Sequence, residues 1–247
     1  MLVKDVRYVE GVVRVLLLHE VHHMVGRREK DFEAAFQAWM AALAEDEETR
    51  LLWFLHHAHG SGPSYQVVTI TGLAGGAAWE RLAQRVHRGD LRQWARDVDA
   101  CRHQVQGRLL MPLAWSPLDV DLAGVPSDGR RHATSLYMED TMWPKRGKVD
   151  EYIAAAGEIY AGMLGAHREG EVLLRIEAAG RTMAGAGRGP EVTLMQKVHS
   201  MSGLVGLLTH DMPAEMSRPG TWMHDALEYR DQWRSKLLRT ASWSPLW

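Results

Sequence analysis

The sequence predicts an α+β protein in which two tandem repeats of order βαββααβ pack their antiparallel sheets into one barrel, closed within a single chain. Three observations predict it. LLMPLAWSPL at 109–118 and LLRTASWSPL at 237–246 agree at six of ten positions, an offset of 128 residues. At that same offset Trp94 matches Trp222, Asp97 matches Asp225, Arg102 matches Arg230 and Gln104 matches Gln232. Strand-like and helix-like apolar patterns also alternate in the same order in both halves.

The elements follow in order, with residues 1–120 as the first repeat and 132–247 as the second. The β-branched and apolar run 12–23 predicts a buried strand, matched by 134–143. Phe32, Ala35, Phe36, Trp39, Met40 and Leu43 recur at helical spacing within 28–45, as Val149, Tyr152, Ile153, Ala156, Tyr160 and Met163 do in the second copy. Residues 51–59 and 65–71, joined by GSGPS, read as a hairpin; so do 172–179 and 191–197, joined by GRTMAGAGRGP. Phe32 with Tyr152 and Gly60 with Gly180 both match at an offset of 120, which predicts about five extra residues in the loop after Gly180. Trp79, Leu82, Ala83 and Val86 mark a short second helix, 91–107 a third, and 109–115 a last strand that Pro112 makes an edge or bulged one. DVDLAGVPSDGRR at 119–131 has the Gly, Pro, Ser and charge of a connector.

Composition narrows the function. With 29 Lys+Arg against 31 Asp+Glu there is no basic stripe, so nucleic acid is not an expected partner. The composition of 46% hydrophobic and 24% charged residues is that of a folded globular chain. Val12 to Leu18, interrupted by Arg14, is far shorter than the ~20 residues of a membrane span. No secretory signal is evident, and Cys101 stands alone, so a cytoplasmic, reducing location is expected, without a membrane partner.

Histidine is the unusual feature. Six of 13 lie in two clusters, His19, His22 and His23 in HEVHH and His56, His57 and His59 in HHAH, each closing a predicted strand. The order βαββααβ is a ferredoxin-like unit with one extra helix, and in such a sheet the first two strands run parallel with the third between them. The clusters then converge, roughly 9.5 Å apart along the sheet, with Tyr65 and Gln66 between them. Alternation pairs Glu20 with His22 on one face and His19 with His23 on the other, and sets His57 and His59 opposite His56. At the aligned positions the second repeat has Glu139, Asp140, Met142 and Trp143, then Ile176, Glu177 and Ala179, so the scaffold does not require the histidines. The asymmetry points to a site in the first half, with His19, Glu20, His22, His57 and Tyr65 as candidate catalytic residues. A positioned imidazole is the usual acid or base near neutral pH. His22, His57 and His59 could instead ligate zinc, copper or iron. His19, Glu20 and His23 also spell HExxH, but that zinc-protease motif works only on a helix, and the strand reading, the Trp143–Pro144 end of the duplicate and Gly26 oppose it. Glu139, Asp140, Arg175 and Glu177 read as a polar set or as strand-end salt bridges; Trp39, Trp53, Trp79 and Trp94 read as core.

The Trp94 and Trp222 helices and the two WSPL ends resemble the NIPSNAP-like families of the dimeric α+β-barrel superfamily, over nearly the whole chain. The Glu-Leu-Arg and Tyr pattern of that family's first strand is replaced here by LLLHEVHH and LYMEDTMW. The resemblance implies a broad range: cofactor-free monooxygenases, lactone isomerases, polyketide cyclases and haem enzymes. It makes His199 and His210 candidate haem ligands. The combined expectation is a small-molecule enzyme that uses a His-rich pocket for proton transfer in oxygenation, isomerisation or cyclisation of an apolar or conjugated metabolite. The alternatives are a metal- or haem-dependent oxidoreductase and a noncatalytic ligand- or metal-binding protein. Because one chain completes the barrel, a monomer is expected to suffice, with a homodimer as the other arrangement.

Overall fold

The computed structural model describes residues 15–43, 46–165, 173–185 and 187–247. The expected strand start at 12–14, the helix end at 44–45 and residue 172 lie outside them. In chain order the first half runs β1 (Leu16–Met24), α1 (Glu29–Leu43), β2 (Thr49–His57), β3 (Gln66–Leu73), α2 (Gly76–Arg88), α3 (Arg92–Asp99) and β4 (Arg102–Pro112). The second runs β5 (Leu136–Pro144), α4 (Val149–Ala155), a π-helical turn (Ala156–Ala161), α5 (Gly162–Gly165), β6 (Leu174–Ala184), β7 (Val192–Val198), α6 (Met201–Thr209), α7 (Trp222–Asp225) and β8 (Arg230–Thr240).

The eight strands close in the order β1-β3-β2-β8-β5-β7-β6-β4, every neighbour antiparallel. Four steps separate β1 from β5, so the two are parallel and diametrically opposite. Seams between the halves are short: β2 meets β8 over Leu55, His56 and His57, and β4 meets β6 over Leu109 to Pro112. Among the described residues no helix is long and apolar enough to cross a membrane.

Helices pack on the outside of each sheet. In α1 the buried residues Phe32, Phe36, Trp39, Met40 and Leu43 form one stripe, and Glu29 and Asp31 in the first turn complement the helix dipole. Trp94 of α3 stacks on Trp39 with ring centroids 4.6 Å apart and donates its Nε1–H to the Ala35 carbonyl at 2.9 Å. Trp222 stacks likewise on Tyr160. The two WSPL ends cross over: Trp115 donates to the Ile153 carbonyl of the second half, while Trp243 packs on Phe54 and donates to Glu33 of the first. Ser116 accepts from the Ala179 amide and Ser244 from the Phe54 amide, both at 3.0 Å. The repeated motif is therefore a reciprocal clasp between halves, and Gly157 is required where Trp115 lies, since a Cβ there would sit 2.4 Å from the indole.

Two expectations are corrected and one alternative is decided. The third helix stops at Asp99 rather than 107, because Arg102 to Gly107 pairs with Glu20 to Met24 of β1. The strand of Pro112 is bulged and not an edge: β4 is flanked by β1 and β6, its register shifts at Leu109/Leu110, and Pro112 takes its last rung opposite Gly180. The extra residues of the second half precede β6 instead of following Gly180. His56 lies opposite Val67 and Arg181 opposite Val192, an offset of 125, so His57 corresponds to Thr182 and not to Glu177. Both strands carry a bulge at the equivalent place, at Leu52 and at Glu177.

Candidate functional site in the barrel lumen

An eight-stranded barrel is just wide enough for side chains to fill, and here its inner face is apolar at one end and polar at the other. Leu17, Trp53, Ile70, Leu110, Tyr137, Met195 and Leu238 form the apolar floor, joined by Leu122 and Val125 from the connector. Trp53 donates its Nε1–H to the Tyr137 hydroxyl at 3.3 Å, and burial pushes the Tyr137 phenol up to about 12.

Above that floor, His19 of β1 meets Glu139 of β5 across the full diameter, Nε2 to Oε2 2.7 Å, both side chains wholly buried. Lys236 of β8 holds the other carboxylate oxygen at 2.9 Å. Burial pushes the Glu139 carboxyl up, but Lys236, His19 and Arg108 outweigh it and hold the group well below the usual carboxylate range. Burial, with Arg108 and Lys236 adding to it, lowers the His19 imidazole in spite of Glu139. The pair is thus a neutral imidazole donating Nε2–H to an ionised carboxylate, which leaves Nδ1 as the acceptor. That Nδ1 is buried with no hydrogen-bond partner.

Toward the polar mouth a second set repeats the geometry. In the first half Gln66 donates to His23 Nε2 at 3.2 Å. In the second, Glu191 accepts from Trp143 Nε1 at 3.0 Å, from Thr182 Oγ1 at 2.9 Å and from Arg108 at 2.7 Å. His57 ends β2 at this mouth, both ring nitrogens enclosed beside the Gln66 side chain. Burial, then Lys236, lowers its imidazole below the ordinary value. The GSGPS loop presses on it: a Cβ at Gly62 would lie 2.5 Å from the His57 ring, so only glycine fits.

The sequence candidates divide between two faces. His19, His23 and His57 belong to the lumen. Glu20 and His22 face outward, where His22 packs on Phe32 and Phe36 of α1. It accepts from Arg102 at 2.8 Å and donates to Thr69 Oγ1 at 2.9 Å. Burial, then the Arg102 charge, holds its imidazole well below the ordinary range, which describes a satisfied core histidine. Burial raises the Glu20 carboxyl. His56 also points outward, to Glu29 at 3.0 Å. Tyr65 is exposed, in a left-handed conformation with φ 56°, and His59 lies beyond β2 on the surface.

His22, His57 and His59 therefore do not share a metal: strand alternation and the bulge at Leu52 send the first outward and the second inward, and the third leaves the sheet. Among the described residues no group of three or more His, Cys, Asp or Glu is spaced to hold an ion. The HExxH reading fails because His19 and Glu20 lie on a strand and face opposite ways. The haem candidates sit at the other end of the barrel, since β7 runs down from the mouth to His199. His210 is exposed at the end of α6, its Nδ1 against the Gly206 carbonyl, and does not suit an enclosed haem, whereas His199 keeps a buried Nε2 without a hydrogen-bond partner.

Sequence reasoning missed Glu139, Lys236, Arg108 and Glu191 as partners. A signal existed: Glu139 is the duplicate of His19 and Lys236 the duplicate of Arg108, so placing the pseudo-twofold axis along the barrel would have set the first two face to face.

Comparison with known proteins gives the fold. No family model matches the sequence, and no curated protein matches it. A solved structure of a candidate monooxygenase from Lactobacillus acidophilus NCFM superposes with a TM-score of 0.58 at 9% identity, covering 94% of this chain and 97% of its own. An anthrone oxidase-like protein gives 0.54 at 10%, covering 92% of both chains. A NIPSNAP-like domain protein from Burkholderia xenovorans, at 17% identity and TM-score 0.38, covers 44% of this chain with 95% of its own, the span of one repeat. The two matches that span the whole chain give the fold: an α+β barrel of two ferredoxin-like units, here in one polypeptide.

Proposed function

We propose that this protein is an enzyme that moves a proton on a small conjugated molecule in the barrel lumen, with His19 as the base. The observation that carries the reading is the His19–Glu139 pair with its unpartnered Nδ1. A carboxylate that fixes one imidazole nitrogen both orients the ring and stabilises the imidazolium once it forms. In the step proposed, a C–H or O–H bond of the substrate breaks, its proton goes to Nδ1, and the electron pair remains on the substrate as an enolate or phenolate. Lys236 and Arg108 supply the positive charge that such an anion requires. His23 and His57, at the mouth, carry the proton out to solvent.

The anion can take a proton back elsewhere, close a ring or reduce dioxygen. The names borne by similar folds favour the last course, and anthrone is the probe. Loss of a methylene proton gives an aromatic phenolate; with dioxygen as oxidant the methylene becomes a carbonyl and the second oxygen atom leaves as water. No metal enters this balance.

The test is deuterium uptake at the anthrone methylene without oxygen, followed by NMR, together with oxygen consumption in air. His19→Gln should slow the catalysed exchange by about 10²–10⁴-fold, while His22→Phe leaves it unchanged. Wild-type exchange rates in a folded His19→Gln protein would overturn the reading.

A further inference from the structure

Beside the lumen, the mouth carries a groove that the proton-transfer site does not use. It has a volume of about 470 Å³ and is lined by Trp143, Arg188, Asp231, Gln232, Trp233 and Arg234, within the size range of small-molecule sites. The Arg188 guanidinium lies 4.5 Å from the Trp143 ring centre and that of Arg234 5.5 Å from it. Arg188 is also tied to the Gln232 side chain. Among the described residues neither arginine meets a carboxylate within salt-bridge distance, whereas Arg181 nearby pairs with Asp150. Trp233, 44% exposed, stands on the outer face of β8 with the Arg230 guanidinium 4.4 Å from its ring centre.

The fold does not demand this groove. At the equivalent positions the first half has His23 for Trp143, His103 for Asp231, Val105 for Trp233 and Gln106 for Arg234. It therefore presents neither the two guanidinium groups nor the indole pair. Trp143 joins groove to lumen, because the indole that carries the arginines on its ring also donates to Glu191.

We infer that this groove binds the anionic end of the substrate, an aromatic carboxylate, while the reacting carbon reaches past Trp143 into the lumen; the inference rests on the luminal reading above. The carboxylate takes charge-assisted hydrogen bonds from Arg188 and Arg234, on the face of β8 that Trp143 shares. Two guanidinium groups against the single Asp231 leave the lining cationic, and Asp231 turns the carboxylate away from its own side of the groove. Charge at the mouth also draws the anion in.

Binding of 2-naphthoate and of its uncharged counterpart 2-naphthamide, followed by calorimetry and tryptophan fluorescence, tests this without turnover. Wild type should prefer the carboxylate by about tenfold, as expected for charge complementarity at a partly exposed site. Arg188→Gln/Arg234→Gln should bind both equally, and His19→Gln should keep the preference. Equal binding of the two probes by wild type, or a preference that survives in the double variant, overturns the inference. Since the readout is affinity alone, failure of His19 as the base would leave this result standing, and failure of the groove would leave the base assignment standing.

Discussion

The two halves of the barrel lay one backbone around the lumen and furnish it with different chemistry. His19, His23, Gln66 and Arg108 in the first half stand where Glu139, Trp143, Glu191 and Lys236 stand in the second, and the contacts themselves recur. Position 66 touches position 23 as position 191 touches position 143. Ser116 and Ser244 make the same amide contact, and both second strands bulge at the matching residue. Such equivalences separate scaffold from chemistry within a single chain. What both halves keep, the tryptophan stacks, clasps and bulges, holds the barrel; what only one half has is free to serve a function.

Making the halves alike at the axis should have the largest effect. His19→Glu would set a second carboxylate against Glu139, with Lys236 in contact and Arg108, already paired to Glu191, to offset the two. We expect a loss of about 3–5 kcal/mol at pH 7, the cost of an uncompensated buried charge. Part should return at pH 5, where one carboxyl takes up a proton and the pair shares it. Urea unfolding at the two pH values measures this, and a variant as stable as wild type at pH 7 would show that the axis is hydrated.

A smaller effect is expected from the outward layer. His22, His19 and His57 are all lowered from 6.5 by burial. Below pH 6.5 the unfolded chain therefore binds protons that the folded one does not, and stability falls as pH falls through that window. Glu139, held well below 4.5, extends the loss further into acid. His22→Phe, which matches Phe32 and Phe36 and leaves Arg102 its bond to Asp99 at 2.6 Å, removes one such group. Its stability should fall less between pH 6.5 and 5, by on the order of 1 kcal/mol, as read from thermal melts across that range.

The smallest effect repairs a difference. Arg102 is satisfied by Asp99, but the residue at the equivalent place beside Arg230 is Leu227. Arg230 is 5% exposed; its side chain meets the Tyr152 hydroxyl, while Nε and Nη1 have no partner. Leu227→Asp should give the second half the missing carboxylate and add about 0.5–1 kcal/mol, measured as a raised urea midpoint with an unchanged slope.

The duplication, the element order and the split of His19 and His23 from Glu20 and His22 were legible because helical and strand periods are local properties of sequence. The inward turn of His57 depends on a bulge at Leu52, which no local pattern marks in the apolar run LLWFL. The five-residue shift was misplaced because Gly180 reads as a loop residue. In the barrel it is a strand glycine: a Cβ would come 3.0 Å from the side chain of Leu110. The start of β4 was hidden because Arg102 to Gly107, paired only with β1, keeps largely polar exposed side chains that read as a helix end. In sequence Glu139 reads as part of a polar set or a strand-end salt bridge because its partner is 120 residues away, on the far wall of a barrel whose axis the sequence alone does not place.

The reciprocal clasp and the connector join two repeated units in one polypeptide. When two identical subunits close a barrel about a twofold axis, whatever side chain one presents at the centre is met by its own copy. Histidine then faces histidine and glutamate faces glutamate. A proton donor opposite a proton acceptor, with a lysine on one side and an arginine on the other, is forbidden to such an assembly by symmetry. Covalent linkage lifts that constraint, and the two halves of this chain are free to set unlike side chains against each other at the centre of the lumen.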